Sequence, residues 1–354
     1  MAAQGELRAI LWESSVKISP GKWRGLQAVS NARGVIAALA IDQRSALRNL
    51  FSKATGIEPH AVPRESLEQY KEAVSRILTP LASAILLDPE YGLPAARQRA
   101  KNAGLLLAYE KTGYDKSVPG RLPRLLENYS VPRLIAEGAD CIKVLLYYSP
   151  FSPPGINNQK HEWVERIGAD CTAADVPFFL ELVSYDDGMD EKSMEFARIK
   201  PQVVTRSMQE FSRPQYAVDV IKVGVPVNMA FVEGAHSSPI SVLCTYEEAK
   251  THFRRAAGAA RKPFIYLSEG VSNEVFNEAL DLAAEAGVNF SGVLCGRATW
   301  MDGVPIFASQ GLHALEDWLS TQGAKNIENV NARLARAKPW FEFYGATSAA
   351  ALAG

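Results

Sequence analysis

The sequence predicts an α/β fold, a (β/α)8 or TIM barrel built as a single domain, and three observations predict it. Eight short apolar runs rich in β-branched and large aliphatic residues recur along the chain, as strands buried on both faces require. Most are separated by amphipathic stretches that carry helix signals, and eight such units over about 265 residues match a closed barrel better than an open sheet. Polar residues gather at the C-terminal ends of the runs, where this fold places its chemistry.

In chain order the runs are "VIAALAID" (35–42), "ASAILLD" (82–88), "GLLLAYE" (104–110) and "DCIKVLLYY" (140–148), followed by "PFFLELVSY" (177–185), "DVIKVGVP" (219–226), "PFIYLSEG" (263–270) and "SGVLCGR" (291–297). Two helices are marked by their ends. "TYEEAKTHFRRAA" opens with a capping box, Thr245 with Glu248 three residues on, and "SNEVFNEALDLAAEAG" runs from a Ser272 cap to Gly287. "SVPGRLPR" (117–124), "SPFSPPGINNQ" (149–159) and "VEGAHSSPIS" (232–241) read as turn-rich loops. No composition shift marks a second domain. The expected division is an N-terminal extension packed on the barrel (1–34), the barrel itself (35–325), and a C-terminal helix and tail (326–354). The aromatic stretch "KPWFEFYG" is expected to pack on the barrel or on an adjacent subunit, and a tail that closes over the site stays open as an alternative.

With 354 residues, 47% of them hydrophobic and 22% charged, the chain can bury a large core. Its 38 basic and 39 acidic residues nearly cancel, so no electrostatic footprint for nucleic acid or an anionic membrane is visible. Cys141, Cys171, Cys244 and Cys295 are widely spaced, which suits reduced thiols better than a disulfide framework or a zinc knuckle. Glu6, Arg8 and Glu13 interrupt the N-terminus before any signal-like stretch, and no run approaches the roughly 20 apolar residues of a membrane helix. A cytoplasmic homo-oligomer is expected.

The polar residues on the runs carry the chemistry. Asp42, Asp88 and Glu110 end the first three runs, Lys143, Glu181 and Lys222 sit within the next three, and Ser268 and Gly296-Arg297 close the last two. Burial disfavours the charged form of a lysine, so Lys222 in "DVIKVGVPVN" costs stability unless something requires it. Alternation points Val218, Val220 and Lys222 to one face. A lysine snorkelling out at the strand end is the plain reading. With Lys143 and Glu181 on neighbouring strands, two ammonium groups and one carboxylate would depress one lysine, and a neutral amine is what attacks a carbonyl to form a Schiff base.

Glu181 reads as a structural ion-pair partner, as a general acid/base, or as both. Asp42 either caps the following helix or joins the pocket, and Gln43 and Arg44 offer donors for a hydroxyl and a phosphate. The loops after the last two strands suit phosphate binding, through Ser268, Gly270, Gly296 and Arg297, although a structural turn would explain each glycine separately. No phosphate-binding P-loop, dinucleotide fingerprint or H-E-x-x-H motif is present. His60, His161, His236, His252 and His313 show no ligand spacing, so neither a metal site nor a cofactor is expected.

The strings "AALAIDQRSAL", "ILLDPEYG", "LLLAYEKTGYD", "GADCIKVLLYY", "PFFLEL", "VDVIKVGVPVNM", "YLSEGVS" and "GVLCGRATW" together resemble the tagatose 1,6-bisphosphate aldolases, a class I family, in order from about residue 33 to about 340. The resemblance implies metal-independent Schiff-base chemistry on a (β/α)8 barrel, cleaving D-tagatose 1,6-bisphosphate to dihydroxyacetone phosphate and glyceraldehyde 3-phosphate. It places the Schiff-base lysine on Lys222, the acid/base carboxylate on Glu181, a second lysine on Lys143, the first-strand aspartate on Asp42, and phosphate contacts on Ser268, Gly296 and Arg297. In the mechanism it implies, the C4 hydroxyl proton goes to Glu181 or Asp42, while Lys143 holds hydroxyls and keeps the pocket positive. The chain departs from the family in the loop after the sixth strand, in its leading segment and in "ATSAAALAG". A class I aldolase for another phosphorylated ketose, such as a sulfofructose phosphate or fructose 1,6-bisphosphate, a phosphosugar isomerase or epimerase, and a non-catalytic phosphosugar sensor stay open beside it.

Overall fold

The computed structural model describes residues 17–115, 117–235 and 241–354. The first residues of the expected N-terminal extension, residue 116 and half of the 232–241 loop, His236 included, lie outside them.

Eight parallel strands close into a barrel in sequence order, each followed by helical structure. After α1 (Pro20–Ala28), β1 (Ile36–Ala40) leads to α2 (Ser45–Thr55) and α3 (Arg64–Leu78). β2 (Ala84–Leu87) is followed by α4 (Leu93–Gln98), β3 (Gly104–Ala108) by α5 (Val131–Ala136), and β4 (Cys141–Tyr148) by α6 (Pro154–Ala173). β5 (Phe178–Ser184) leads to α7 (Met194–Phe211), β6 (Val220–Val223) to α8 (Tyr246–Ala259), and β7 (Phe264–Tyr266) to α9 (Asn273–Glu285). β8 (Gly292–Cys295) runs into the one-turn α10 (Arg297–Trp300), then α11 (Gly303–Gln310), α12 (Leu312–Trp318) and α13 (Ala324–Arg333). Every apolar run singled out in the sequence contains one strand.

The helix ends form as their residues dictate. Thr245 Oγ1 accepts the Glu248 N–H at 3.2 Å while the Glu248 carboxylate accepts the Thr245 N–H at 2.8 Å, which satisfies two donors that α8 would otherwise leave free. Ser272 caps α9 through the Val275 N–H, and Gly287 just past its end takes the left-handed backbone that glycine adopts without strain.

Two apolar clusters divide the core. The larger lies between strands and helices; the smaller fills the barrel, with Ile36, Ala38, Ala40, Ala84, Leu86, Leu106, Ala108, Cys141, Phe179, Val220, Ile265 and Leu294 facing inward. The inner set on β1 to β3 is rich in alanine, and that leaves room above it. Val220 shares the inner face with Lys222 as alternation requires, but Val218 does not. It precedes β6, after a left-handed turn at Ala217, and packs in the outer cluster.

The tail closes the other end of the barrel. Trp340, fully buried, joins Leu26, Val29 and Leu352 beneath the inner strand residues, with its backbone N–H on the Gly34 carbonyl. Trp23 of α1 donates to the Ala349 carbonyl at 2.8 Å, and Ile18 forms a parallel bridge with Ala353. Lys22 pairs with Asp219 at the foot of β6, 2.8 Å away. α1 and the C-terminal tail therefore seat at the N-terminal ends of the strands, opposite the lysines, and from there the tail covers no active-site opening. No helix among the described residues is long and apolar enough to cross a membrane.

Candidate active site

The barrel's alternation explains why the ionisable groups meet. Asp42 stands two residues beyond inward-facing Ala40, Glu110 two beyond Ala108, Lys143 two beyond Cys141, Glu181 two beyond Phe179, and Lys222 two beyond Val220. Each therefore continues the inner face of its strand by one pleat, directly above the apolar layer. The register sets Glu181 beside Lys222 and Lys143 beside Phe179. Because Ala40 and Ala108 are small, the Lys143 side chain can cross to β1 and β3.

Lys143, fully buried, is the centre of the cluster. Its ammonium lies 2.8 Å from Asp42, 2.8 Å from Glu110 and 2.7 Å from Glu181. Lys222 Nζ lies 2.9 Å from the same Glu181 oxygen. Two lysines thus share the pocket with three carboxylates, where the sequence reading counted a single carboxylate between them. The excess of acid decides the charge state of Lys143. Burial pulls its pKa down, but Asp42, Glu110 and Glu181 outweigh burial and hold it well above the ordinary lysine value. Lys143 is a fixed cation whose charge three acids absorb, so it does not lend the pocket a positive field for phosphate.

The carboxylates differ in turn. Burial raises Asp42, but Lys143 and Lys222 override it and hold the carboxyl well below its usual range; Glu181 is lowered by the same balance. Glu110 goes up, because burial outweighs Lys143 and Arg44. The excess acid of the cluster is therefore the group that most readily keeps a proton. Asp42 Oδ1 and Glu110 Oε2 are buried without a hydrogen-bond partner, and so is the Gln43 side-chain oxygen; these are the acceptors left for a ligand.

Two expected residues are occupied elsewhere. Arg44 donates to the Glu90 carboxylate at 2.7 Å and to the Glu110 carbonyl at 2.8 Å, so its fork braces the ends of β1 and β3. Asp88 ends β2 as expected, but the turn after Leu87 takes its carboxylate for the Glu90 and Tyr91 N–H groups and for fully buried Lys71.

The loops after β7 and β8 come together beside Lys222. Cys295, whose thiol burial pushes up to about 12, is hydrogen-bonded by Ser268 and lies close enough to Lys222 to feel its charge. Gly296 immediately precedes α10, and Arg297 follows with its guanidinium against Gly270. A Cβ on Gly270 would lie 2.5 Å from Arg297 Cζ, and its φ of +80° is one that L side chains avoid. Glu269, which precedes it with a left-handed φ of 49°, is held by Lys200 at 2.6 Å. Its side chain passes over Gly224 so closely that a Cβ there would lie 2.2 Å from a carboxylate oxygen. Gly270→Ala is accordingly expected to push Arg297 aside. Steady-state kinetics should show KM for a phosphorylated substrate rising roughly 10-fold or more, with a smaller change in kcat.

Sequence reasoning left out Glu110 as a site residue, although its place two residues beyond Ala108 repeats that of Asp42 beyond Ala40. It also passed over the tyrosines at the barrel mouth. Tyr114 donates to the Leu145 carbonyl at 2.7 Å and meets Tyr147 edge to face at 4.9 Å, and Tyr147 meets Tyr185 likewise at 5.9 Å. Tyr147 lies four residues beyond Lys143 and Tyr185 four beyond Glu181, a spacing legible once the strands are placed. Two hollows on the barrel's flank, one of about 240 Å³ between α7 and α8 and one beside α6 and α7, lie away from this chemistry.

Comparison with known proteins agrees with this geometry. Residues 36–302 match the model of the DeoC/LacD family of aldolases. The chain is 54% identical over 319 residues to tagatose 1,6-diphosphate aldolase 2 of Enterococcus faecalis, covering 90% of this chain and 95% of that one. It is 48% identical over 332 residues to a tagatose 1,6-diphosphate aldolase of Listeria monocytogenes, covering 93% and 96%. In fold it is similar to a Schiff base forming fructose-1,6-bisphosphate aldolase, with a TM-score of 0.50, 14% identity, and coverage of 85% of this chain and 99% of that one. With a family model spanning the whole barrel and relatives of this identity along nearly the full chain, the protein belongs to the DeoC/LacD family of aldolases.

Proposed function

We propose that this aldolase cleaves D-tagatose 1,6-bisphosphate reversibly to dihydroxyacetone phosphate and D-glyceraldehyde 3-phosphate through a Schiff base on Lys222. The observation that carries the reading is the pairing of Lys222 with Glu181 at 2.9 Å inside a buried cluster, in a chain whose relatives are tagatose 1,6-diphosphate aldolases.

In this mechanism Glu181 takes a proton from Lys222 Nζ, and the free amine attacks the ketose C2 carbonyl. The carbinolamine loses water as Glu181 returns the proton, leaving a protonated imine. That imine is an electron sink, so the C3–C4 bond breaks with its electrons moving into an enamine while the C4 hydroxyl loses its proton. Asp42 takes that proton. It stays ionised in the cluster and has an oxygen with no other partner, whereas Glu181 is bound to both lysines. Lys143 fixes Asp42, Glu110 and Glu181 in place, Gln43 meets a hydroxyl, and Arg297 with the Ser268–Gly270 turn and Gly296 holds the phosphate nearest C2.

The division of labour is testable in single turnovers. Glu181→Gln should slow borohydride trapping of the imine as well as cleavage, while Asp42→Asn should leave trapping near wild type and slow cleavage by roughly 10² to 10⁴. Equal effects on both steps in the two variants would contradict the assignment. The substrate itself is tested by coupling triose phosphate detection to a panel of ketose bisphosphates. The tagatose compound is expected to give the highest kcat/KM, and EDTA is expected to leave the rate unchanged.

A further inference from the structure

A ketose bisphosphate carries a phosphate at each end, and the β7 and β8 loops accommodate only the one nearest C2. Arg44, which the sequence offered for a phosphate, is tied down by the buried Glu110 carbonyl as well as by Glu90, and Lys143 is held by three carboxylates. A second anchor is offered elsewhere on the barrel mouth.

β4 and β5 extend above the lysine cluster on the side facing β8, four strands away around a ring of eight. Tyr147 and Tyr185 continue the inner faces of Lys143 and Glu181 there. The Arg121 guanidinium lies over both rings, 5.0 Å from the centroid of Tyr147 and 4.7 Å from that of Tyr185. Tyr147, raised first by burial, also feels Arg121, Glu191, Glu181 and Arg297, so its phenol stands among both guanidinium groups and the catalytic carboxylate.

The loop that carries Arg121 is built rather than loose. The Gly120 N–H donates to Asp187 at 2.9 Å, and the Gly120 carbonyl accepts from the Tyr185 hydroxyl at 3.1 Å. Tyr185 is held in turn by the ammonium of fully buried Lys160 at 2.8 Å. Arg121 has a left-handed φ of 43°, a conformation that persists in a non-glycine residue only where its surroundings impose it. Its present ionic partner is Glu191, whose carboxylate is 36% exposed while the Arg121 side chain is 8% exposed. A solvent-side carboxylate is an exchangeable partner for an arginine, and a phosphate dianion offers more charge and a bidentate edge.

The geometry points to Arg121 as the ligand of the second phosphate, the one distant from C2, with the guanidinium held flat on Tyr147 and Tyr185 and exchanging Glu191 for phosphate oxygens. This rests on the ketose bisphosphate reading above. It makes Arg121 the residue that separates a bisphosphate from a ketose 1-phosphate.

The test is steady-state kinetics on tagatose 1,6-bisphosphate and tagatose 1-phosphate with Arg121→Met and Arg121→Lys. Arg121→Met is expected to lower kcat/KM for the bisphosphate roughly 10- to 100-fold, mostly through KM, and to change that for the 1-phosphate less than about 2-fold. Arg121→Lys should recover part of the loss. Equal losses on both substrates would show that Arg121 only clamps its loop, and no loss on either would show that the phosphate binds elsewhere; either result overturns the proposal. If Arg121→Met does not fold, Glu191→Gln serves instead. It is expected to lower KM for the bisphosphate alone, and an equal rise for both substrates would contradict the assignment. Borohydride trapping of dihydroxyacetone phosphate, which lacks the distant phosphate, should be unaffected in Arg121→Met. A wild-type protein that neither traps that ligand nor cleaves either ketose would overturn the aldolase reading itself, and this assignment with it.

Discussion

Lys143→Met should destabilise the protein by about 3–5 kcal/mol at neutral pH, the cost of removing one partner from a buried ion cluster. The loss is large because Asp42, Glu110 and Glu181 would then face one another around an apolar side chain, with only Lys222 and, beside Glu110, Arg44 to offset them. The pH dependence of stability between pH 7 and 5 should also steepen, because in the wild-type protein Glu110 alone of the three carboxyls is raised, and only a raised carboxyl gains stability as pH falls there. In the wild-type protein Asp42 and Glu181 have lowered pKa values, so their contribution is present above the ordinary carboxylate range and is lost as pH falls through the lowered values. Without Lys143 the carboxyls shift upward, the native state binds protons that the unfolded state does not, and the variant should gain stability as pH drops from 7 toward 5. Urea unfolding of both proteins across that range would show it. A variant whose stability follows the same pH slope as wild type would mean that Lys143 does not anchor the cluster.

Lys222→Met should abolish turnover, with a loss of at least roughly 10³-fold, because the amine makes and breaks the covalent bond to substrate. Stability should suffer far less than in Lys143→Met. Lys222 is paired with one carboxylate only, and Glu181 keeps its 2.7 Å contact with Lys143. On the proposed mechanism the two lysines therefore have separate roles: Lys143 organises charge, and Lys222 carries chemistry. Substantial remaining cleavage in a folded Lys222→Met protein would contradict the placement of the Schiff base on Lys222.

The strands were legible because each is a near-continuous apolar run, and the site was legible because polar residues interrupt those runs at the same end. Asp42, Lys143, Glu181 and Lys222 follow directly from that pattern, and the β7 and β8 loops converge as the fold requires. What failed involved partners distant in sequence. Arg44 reads as a free fork until Glu90, 46 residues on, takes it. Lys143 reads as a source of positive charge until three strands each bring it an acid. Arg121 sits in a turn-rich loop with no periodicity, and only the tyrosines of β4 and β5 give its guanidinium a place. The tail shows the same limit, since an aromatic stretch announces burial but not which end of the barrel it covers.

The account rests on one covalent bond, and its most direct test is to locate it. The wild-type protein would be incubated with dihydroxyacetone phosphate, reduced with borohydride and digested, and the labelled peptide sequenced by mass spectrometry. The reduced triose phosphate should lie on Lys222 in the "DVIKVGVPVN" peptide. A label on Lys143, or no label under conditions of full turnover, would contradict it.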